Sequence, residues 1–390
     1  MQTRDVVIVS AVRTAVARGK EDGALAAEHP LDVSATVLRA AVDRIGISPG
    51  VVDDVLWGCA KPEAGQGHNM ARLSLLRAGF PVHVSGATVN RFCSSGLQTV
   101  AMAAQAIMTG MNDVVVAGGI EMMSQLPMGA PEAWRHPELT QAYIAMGLTA
   151  EQVARDWKIT REMQDQFAFE SQQKAAAAWA RGAFKDEIVP VPLRRVLARE
   201  GTDAGGEPFA RDEMLRPTTT LEGLAKLKPA FLEGGSVTAG NSSPLSDGAA
   251  ALVLTTPERA RELGLKPLAR FVTFATAGVN PTVMGIGPVK AVPKALIRAG
   301  LRLDDLAMIE LNEAFASQAV AVIGELGMNP ARVNVNGGAI ALGHPLGATG
   351  AKLTVQLVHA LGHAGGGLGM VTMCVGGGMG AAGIFEVYPA

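Results

Sequence analysis

The strongest constraint on the fold of this chain is that its second half repeats its first. VDDVLWGCAKPEA, from Val52, is echoed by DDLAMIELNEA from Asp304; GATVNRFC, from Gly86, by ARVNVNGG from Ala331; and NDVVVAGG, from Asn112, by GLGMVTMCVGGG from Gly367. Each echo is short, but they fall in the same order in both halves. This arrangement predicts a duplicated α/β domain whose copies lie against each other. Equivalent strand and helix ends then meet, which is where α/β folds place their sites.

Alternating elements fill in the first copy. Asp5 to Val12 is a β-branched run that suits a buried strand, and Val33, Val37, Leu38, Ala41, Val42 and Ile45 mark one face of a helix that Gly46 ends. Further strands are expected near Val55 to Trp57 and over Asp113 to Gly119, in a largely parallel sheet covered by helices. With 390 residues the chain exceeds what one core usually serves, so two or more domains are expected. Hydrophobic residues make up 48% and aromatic ones 4%, so the cores must be aliphatic; the 46 glycines imply close backbone approaches.

From Glu121 the texture changes. Pro127, Pro131 and Pro137 interrupt the sequence, Thr149 with Gln152 predicts a capping box opening a helix, and another helix is expected from Arg161 to Ala180. Pro190 to Gly235 shows little periodicity and carries Arg194, Arg195, Arg211, Arg216, Lys226 and Lys228. Most of those basic residues read as solvated surface, and a few as holders of phosphate. Glu121 to Pro244 is therefore read as an insertion that covers a site. Strand texture resumes at Asp247 to Thr256 and again near Leu268 to Thr276.

Several function classes are set aside by composition. The net charge of −2 and the lack of a dense Lys/Arg block give no footprint for nucleic acid. Cys59, Cys93 and Cys374 form no CxxC pair and no zinc-like cluster, which argues for a reducing compartment, no disulfide framework and no metal. MQTRDVVIVSAVRT is unlike a secretory signal, no apolar stretch approaches a membrane span, and Tyr388-Pro389-Ala390 is no peroxisomal address. A cytoplasmic protein is expected.

The stretch VNRFCSSGLQTV places Cys93 where a short extended run gives way to a helix marked by Leu97, Val100, Ala101, Ala104 and Ile107. Free N–H groups and the positive end of the helix dipole favour thiolate there. A single cysteine is more often a small buried hydrophobe, and that reading stands while Cys93 is taken alone. The second half adds Asn312 in LNEAF, His344 in GGAIALGHPLGATG and Cys374 in TMCVGGGMG. Each alone has an ordinary explanation, a turn histidine or buried filler. Their joint presence with Cys93 is what a thiol chemistry would need.

Together VNRFCSSGLQ, TAGNSSPLSDGAA, MGIGPV, ELNEAFA, NVNGGAIALGHPLGATG and CVGGGMG resemble the signatures of the thiolase family, in that family's order and over essentially the whole chain. The resemblance implies an α/β protein with the duplicated five-layered α-β-α-β-α thiolase fold. Residues 1–120 plus 245–268 would form its N-terminal domain, 121–244 a loop domain covering the coenzyme A site, and 269–390 its C-terminal domain. It also implies an acyltransferase that cleaves 3-oxoacyl-CoA with CoA. Carried over, Cys93 is the nucleophile, His344 takes its proton, and Cys374 shuttles the proton needed for carbon–carbon cleavage. The backbone N–H groups of Cys93 and Gly376 would form one oxyanion hole, and His344 with a water held by Asn312 the other.

Family positions that contact CoA fall on Met146, Arg216, Phe231 and Ala239, and on Ser243, Ala314 and Phe315. Arg216 is expected at a phosphate and Ser243 at the pantetheine arm. CoA is then a substrate, with no prosthetic group. Ala145 stands where the acetoacetyl-CoA-forming branch commonly has a histidine, and RFCSSG is similar to the degradative 3-ketoacyl-CoA branch rather than to the biosynthetic CGSG. Both favour a β-oxidation type of thiolase over an acetoacetyl-CoA thiolase working toward condensation. A non-catalytic thiolase-like lipid carrier would lack part of the reactive set, and a cysteine hydrolase has no need of a second cysteine. A homodimer or homotetramer is implied, and a complex with a hydratase/dehydrogenase subunit is open to the degradative branch.

Overall fold

The computed structural model describes residues 3–129, 132–193 and 207–390; Pro131, Arg194 and Arg195 lie outside these. The first part forms β1 (Val7–Thr14), β2 (Ala17–Arg18), α1 (Pro30–Asp43), β3 (Asp54–Gly58), α2 (Met70–Arg77), β4 (Ser85–Val89), α3 (Ser95–Met108) and β5 (Val114–Met122). An excursion then carries α4 (Met146–Asp156), α5 (Arg161–Ala180), β6 (Ile188–Val189) and α6 (Leu221–Ala225). Next come β7 (Ser246–Thr255), α7 (Pro257–Glu262), β8 (Ala269–Gly278), α8 (Gly287–Ala299), β9 (Met308–Leu311) and α9 (Ala316–Leu326). The chain finishes with α10 (Ala339–Leu342), α11 (Leu346–His363), β10 (Gly367–Val375) and β11 (Met379–Val387).

Strand order displays the duplication. In the first half β4, β3, β5, β7 and β1 are successive neighbours, paired parallel, parallel, antiparallel and antiparallel. In the second half β9, β10, β11 and β8 follow the same scheme, parallel and then antiparallel twice. The counterpart of β4 shrinks to one parallel bridge, Val333 to Ile309. Antiparallel pairing of Ile8 with Ala269 joins the halves into one connected sheet.

Because strand side chains alternate faces, each half buries two surfaces. Along β7, Ala249, Ala251 and Val253 pack with α1 and α2, while Ala250, Leu252 and Leu254 pack with α3 and α11. In the second half Val371 and Phe385 face that same central core, whereas Met370 and Ile384 face α8 and α9. The layers therefore run α1/α2, sheet, α3/α11, sheet, α8/α9, the duplicated five-layered arrangement expected. At its centre α3 and α11 touch backbone to backbone: a Cβ on Gly96 would lie 2.6 Å from the Ala351 nitrogen, and one on Gly350 2.2 Å from the Leu97 nitrogen. Only glycine permits that approach.

The excursion is tied firmly to both halves. β6 adds parallel to β1, with Arg13 opposite Ile188. The fully buried Arg13 guanidinium donates to Glu187 at 2.6 Å and to both oxygens of Asp212 at 2.8 and 3.0 Å, so no charge in this cluster is left unpaired. On the other side α5 packs against α9 and α10. One local expectation fails. The helix expected at Thr149 starts earlier, at Met146 with Ala145 as its cap. The Thr149 hydroxyl donates to the Met146 carbonyl at 2.6 Å and Gln152 donates to Asp156 at 2.6 Å, so no capping box forms. Packing of Met146 into an apolar cluster outweighs the local cap.

Candidate active site

Cys93 lies in a 3-10 turn, Phe92–Ser94, that links β4 to α3. Polar neighbours shape the turn. Asn90 Oδ1 accepts the Phe92 N–H at 2.9 Å, while the Ser95 hydroxyl accepts the Arg91 N–H at 2.9 Å and donates to the Phe92 carbonyl at 2.7 Å. These bonds hold Phe92 at φ +44°, a conformation a bulky residue adopts only under such constraint. The turn rests on α11 and β10, and the backbone N–H groups of Gly376 and of Cys93 itself lie close enough to the Cys93 sulfur to draw its pKa down.

The sulfur is nonetheless a thiol at neutral pH. Burial pushes Cys93 up to about 11, and the two N–H donors recover only part of that. The thiolate expected from the helix dipole is therefore corrected: desolvation outweighs the dipole at this 8% exposed site.

His344 precedes α11 and is buried. Its Nδ1 is 2.6 Å from the Thr349 hydroxyl, which itself donates to the Pro345 carbonyl at 2.8 Å. With its one proton so engaged, Thr349 accepts from Nδ1–H, which leaves Nε2 with the lone pair. Asn312 Nδ2 donates to that Nε2 at 3.3 Å. Burial, and secondarily the charge of Lys352, holds the imidazole neutral, with its pKa lowered to about 3. The imidazole is thus held in one tautomer. Asn312 Oδ1 is buried and has no protein partner, which fits the expected water-holding role.

Cys374 lies near the end of β10, fully buried. Burial raises its pKa first, and the nearby Cys93 raises it further. Its sulfur sits 3.8 Å from Gln318 Oε1. A Cβ on Gly376 would stand 3.5 Å from the Phe92 ring, an ordinary contact, whereas one on Gly378 would lie 2.4 Å from the Val279 carbonyl. Gly377 and Gly378, at φ +78° and +85°, turn the chain into β11.

The expected CoA residues divide in two. Met146, Ala314 and Phe315 share an apolar cluster with Cys374, Met284 and Val237. Phe231 stacks edge-on to Phe315, centroids 5.9 Å apart, and covers Gly147, where any Cβ would strike its ring. Ser243 donates both its N–H and its hydroxyl to the Ala314 carbonyl at 3.0 Å, so toward a ligand its oxygen is left as an acceptor. Arg216 and Ala239 are exposed on the excursion, apart from that cluster. Of the other basic candidates, Arg211 stacks on Trp179 at 5.6 Å, and Lys226 and Lys228 are exposed.

Three supporting residues escaped the sequence reading. Thr349 fixes the histidine tautomer. Glu121 is buried and accepts from Gln66, Ala60, Lys61 and Gly347, at 2.8, 2.9, 3.2 and 2.8 Å, pinning the start of α11 to the loop after β3. Gln318 meets Cys374. The signal was a polar residue inside an otherwise apolar helix or strand, ASQAVAVIGEL for Gln318 and VVVAGGIEM for Glu121. Among the described residues no helix is long and apolar enough to cross a membrane, and no group of His, Cys, Asp or Glu is placed for a metal.

A thiol under two N–H donors, a second sulfur beside it and a tautomer-locked imidazole suit acyl transfer between thiols. Comparison with known proteins agrees. The thiolase N-terminal domain family matches residues 6–258 and the thiolase C-terminal domain family residues 265–387. The chain is 52% identical to a 3-ketoacyl-CoA thiolase of Bacillus subtilis, covering 98% of this chain and 100% of that one. It is 47% identical to an acetyl-CoA acetyltransferase of Escherichia coli, covering 98% and 99%. A crystal structure of the Bacillus anthracis acetyl-CoA acetyltransferase superposes with a TM-score of 0.89 at 41% identity, covering 99% of each chain. This protein belongs to the thiolase family and is an acyltransferase with the duplicated thiolase fold.

Proposed function

We propose that the chain is a 3-ketoacyl-CoA thiolase of the β-oxidation type, cleaving 3-oxoacyl-CoA with CoA to acetyl-CoA and an acyl-CoA two carbons shorter. The observation that carries this reading is Ala145, the cap of α4, at the position where the acetoacetyl-CoA-forming branch commonly carries a histidine, just before Met146 in the apolar cluster around Cys374. The Bacillus subtilis relative bears the same name.

In this reading the thiol of Cys93 attacks the 3-keto carbon as His344 Nε2 takes its proton. Because thiol and neutral imidazole are the resting forms, transfer is coupled to charge building on the carbonyl oxygen, which the N–H groups of Cys93 and Gly376 receive. Carbon–carbon cleavage expels the acetyl-CoA enolate, stabilised by His344 and the water on Asn312, and Cys374 protonates its carbon. CoA then gives its proton to Cys374, and its sulfur takes the acyl group from Cys93.

Residues 121–244 serve as the loop domain over CoA, between domains of 1–120 plus 245–268 and of 269–390. Arg216 meets a phosphate, Ser243 accepts from the pantetheine amide, and Phe231 and Ala239 line the arm. CoA enters as substrate, without a prosthetic group. Three free cysteines suit the cytoplasm. The outer edge of β4, which ends the sheet, suits a homodimer or homotetramer, with a hydratase/dehydrogenase subunit as a further partner.

A second reading, an acetoacetyl-CoA thiolase working toward condensation, draws on the relatives named acetyl-CoA acetyltransferase. Steady-state thiolysis of acetoacetyl-CoA against longer 3-oxoacyl-CoA substrates separates the two, and a strong preference for the four-carbon substrate overturns the degradative assignment. Tight lipid binding with no acyl transfer would instead mark a lipid carrier.

A further inference from the structure

We infer that Gln318 is the positioning residue for the Cys374 proton, holding the S–H on its amide oxygen so that this sulfur serves as proton donor while Cys93 attacks. The inference deepens the thiolase reading above and rests on it.

Gln318 is the third residue of α9 and is fully buried. Its Oε1 accepts the Phe315 N–H at 3.4 Å and lies 3.8 Å from the Cys374 sulfur. The first bond identifies the end of the amide, because a backbone N–H can only donate and the atom it meets must be oxygen. Toward that oxygen a thiol can only donate. Each sulfur has its own backbone N–H beside it; Cys374 in addition faces an acceptor, whereas Cys93 in addition faces the Gly376 N–H.

The plainer role for Gln318 is a cap, the third helical residue reaching back to the N–H that precedes the helix. A cap explains the bond to Phe315 but not the sulfur. It also leaves unexplained why Nε2 is buried without a partner, a cost that a helix end exposed to water would not incur. Gly285, in the MGIGPV stretch, is shaped around the same side chain: a Cβ there would lie 2.6 Å from Gln318 Cβ.

The proton economy follows. As the Cys93 adduct breaks, the electron pair of the bond between C2 and C3 leaves on the acetyl-CoA enolate. The Cys374 proton passes to C2, giving acetyl-CoA and a Cys374 thiolate. CoA–SH returns a proton to that thiolate as its own sulfur attacks the acyl group. An S–H without an acceptor samples three staggered directions, and only one of them points at C2.

The test uses the full chain with Gln318→Met, which removes the acceptor at similar length, and Gln318→Glu, which keeps an acceptor oxygen. Thiolysis kcat and KM, exchange of acetyl-CoA methyl protons with D2O, and alkylation of Cys93 are measured for each. In the Met variant kcat and exchange should fall about 10- to 100-fold, toward the lower range for losing a positioned acid, with KM and Cys93 alkylation changed by less than about twofold. The Glu variant should keep most of the exchange. Undiminished exchange in the Met variant overturns the inference, as does equal loss in both variants together with Cys93 alkylation, the mark of a helix cap alone. If the unsubstituted chain performs no CoA-dependent thiolysis, the functional reading falls and this one with it.

Discussion

Cys93 and Cys374 are the same chemical group, buried side by side, and they are wired oppositely. Each comes from its own half of the duplicated scaffold. Cys93 sits on a strained turn before a helix and receives two backbone N–H donors; Cys374 sits near the end of a strand, against a side-chain oxygen that accepts. Donors favour the charged sulfur and an acceptor favours the protonated one, so burial raises both while hydrogen bonding separates them. In the proposed reaction one residue type would serve as both nucleophile and acid, told apart by what surrounds each copy.

Removing the sulfurs one at a time tests the contrast most severely. Cys93→Ser should lower thiolysis by at least about 10^4-fold with no acyl adduct by mass spectrometry. Cys374→Ser should lower it about 10^3-fold while Cys93 still takes up an acyl group. If Cys374→Ser abolished acylation as well, the two roles would not be distinct.

The next tests sharpen the electrostatic side. Since Cys93 is raised to about 11, its thiolate fraction grows about tenfold per pH unit below that value, so iodoacetamide labelling should rise about 100-fold from about pH 8 to 10. Cys374, which has its own backbone N–H but no counterpart of the Gly376 N–H and which Cys93 raises further, should label far more slowly throughout. A labelling rate already level at pH 8 would mean that the donors outweigh burial after all. Asn312→Ala removes the donor to His344 and the anchor of the expected water, and should cost about 100-fold in kcat with little change in Cys93 labelling. Thr349→Val unlocks the His344 tautomer and should cost about tenfold, read in kcat; an unchanged rate would show that Asn312 orients the ring alone.

How much of this could be read beforehand depends on range. The duplicated order was legible because alternation and turns are local, and it survived even where the counterpart of β4 is a single bridge at Val333. Cys93, Asn312, His344 and Cys374 could be singled out because they occur together in stretches that resemble thiolase signatures, whereas each alone had an ordinary reading. The state of Cys93 was not, since desolvation depends on α11 and β10, which arrive from the far end of the chain. The start of α4 was misread for a similar reason: Met146 is placed by Phe315 and Cys374, not by its own neighbours. Glu121 and Gln318 act across tertiary contacts, so a polar residue in an apolar element marks them without showing their partners, and Thr349 acts on His344 only five residues away but through a loop geometry the sequence does not display.

The contact of Gly96 with Ala351 and of Gly350 with Leu97 carries one more implication. Where two rods touch main chain to main chain, there is no side-chain padding to thicken or thin as a lineage accumulates changes. The spacing between the turn that carries Cys93 and the loop that carries His344 is thereby fixed by main chain alone, so a change of side chain elsewhere in the two helices leaves it in place.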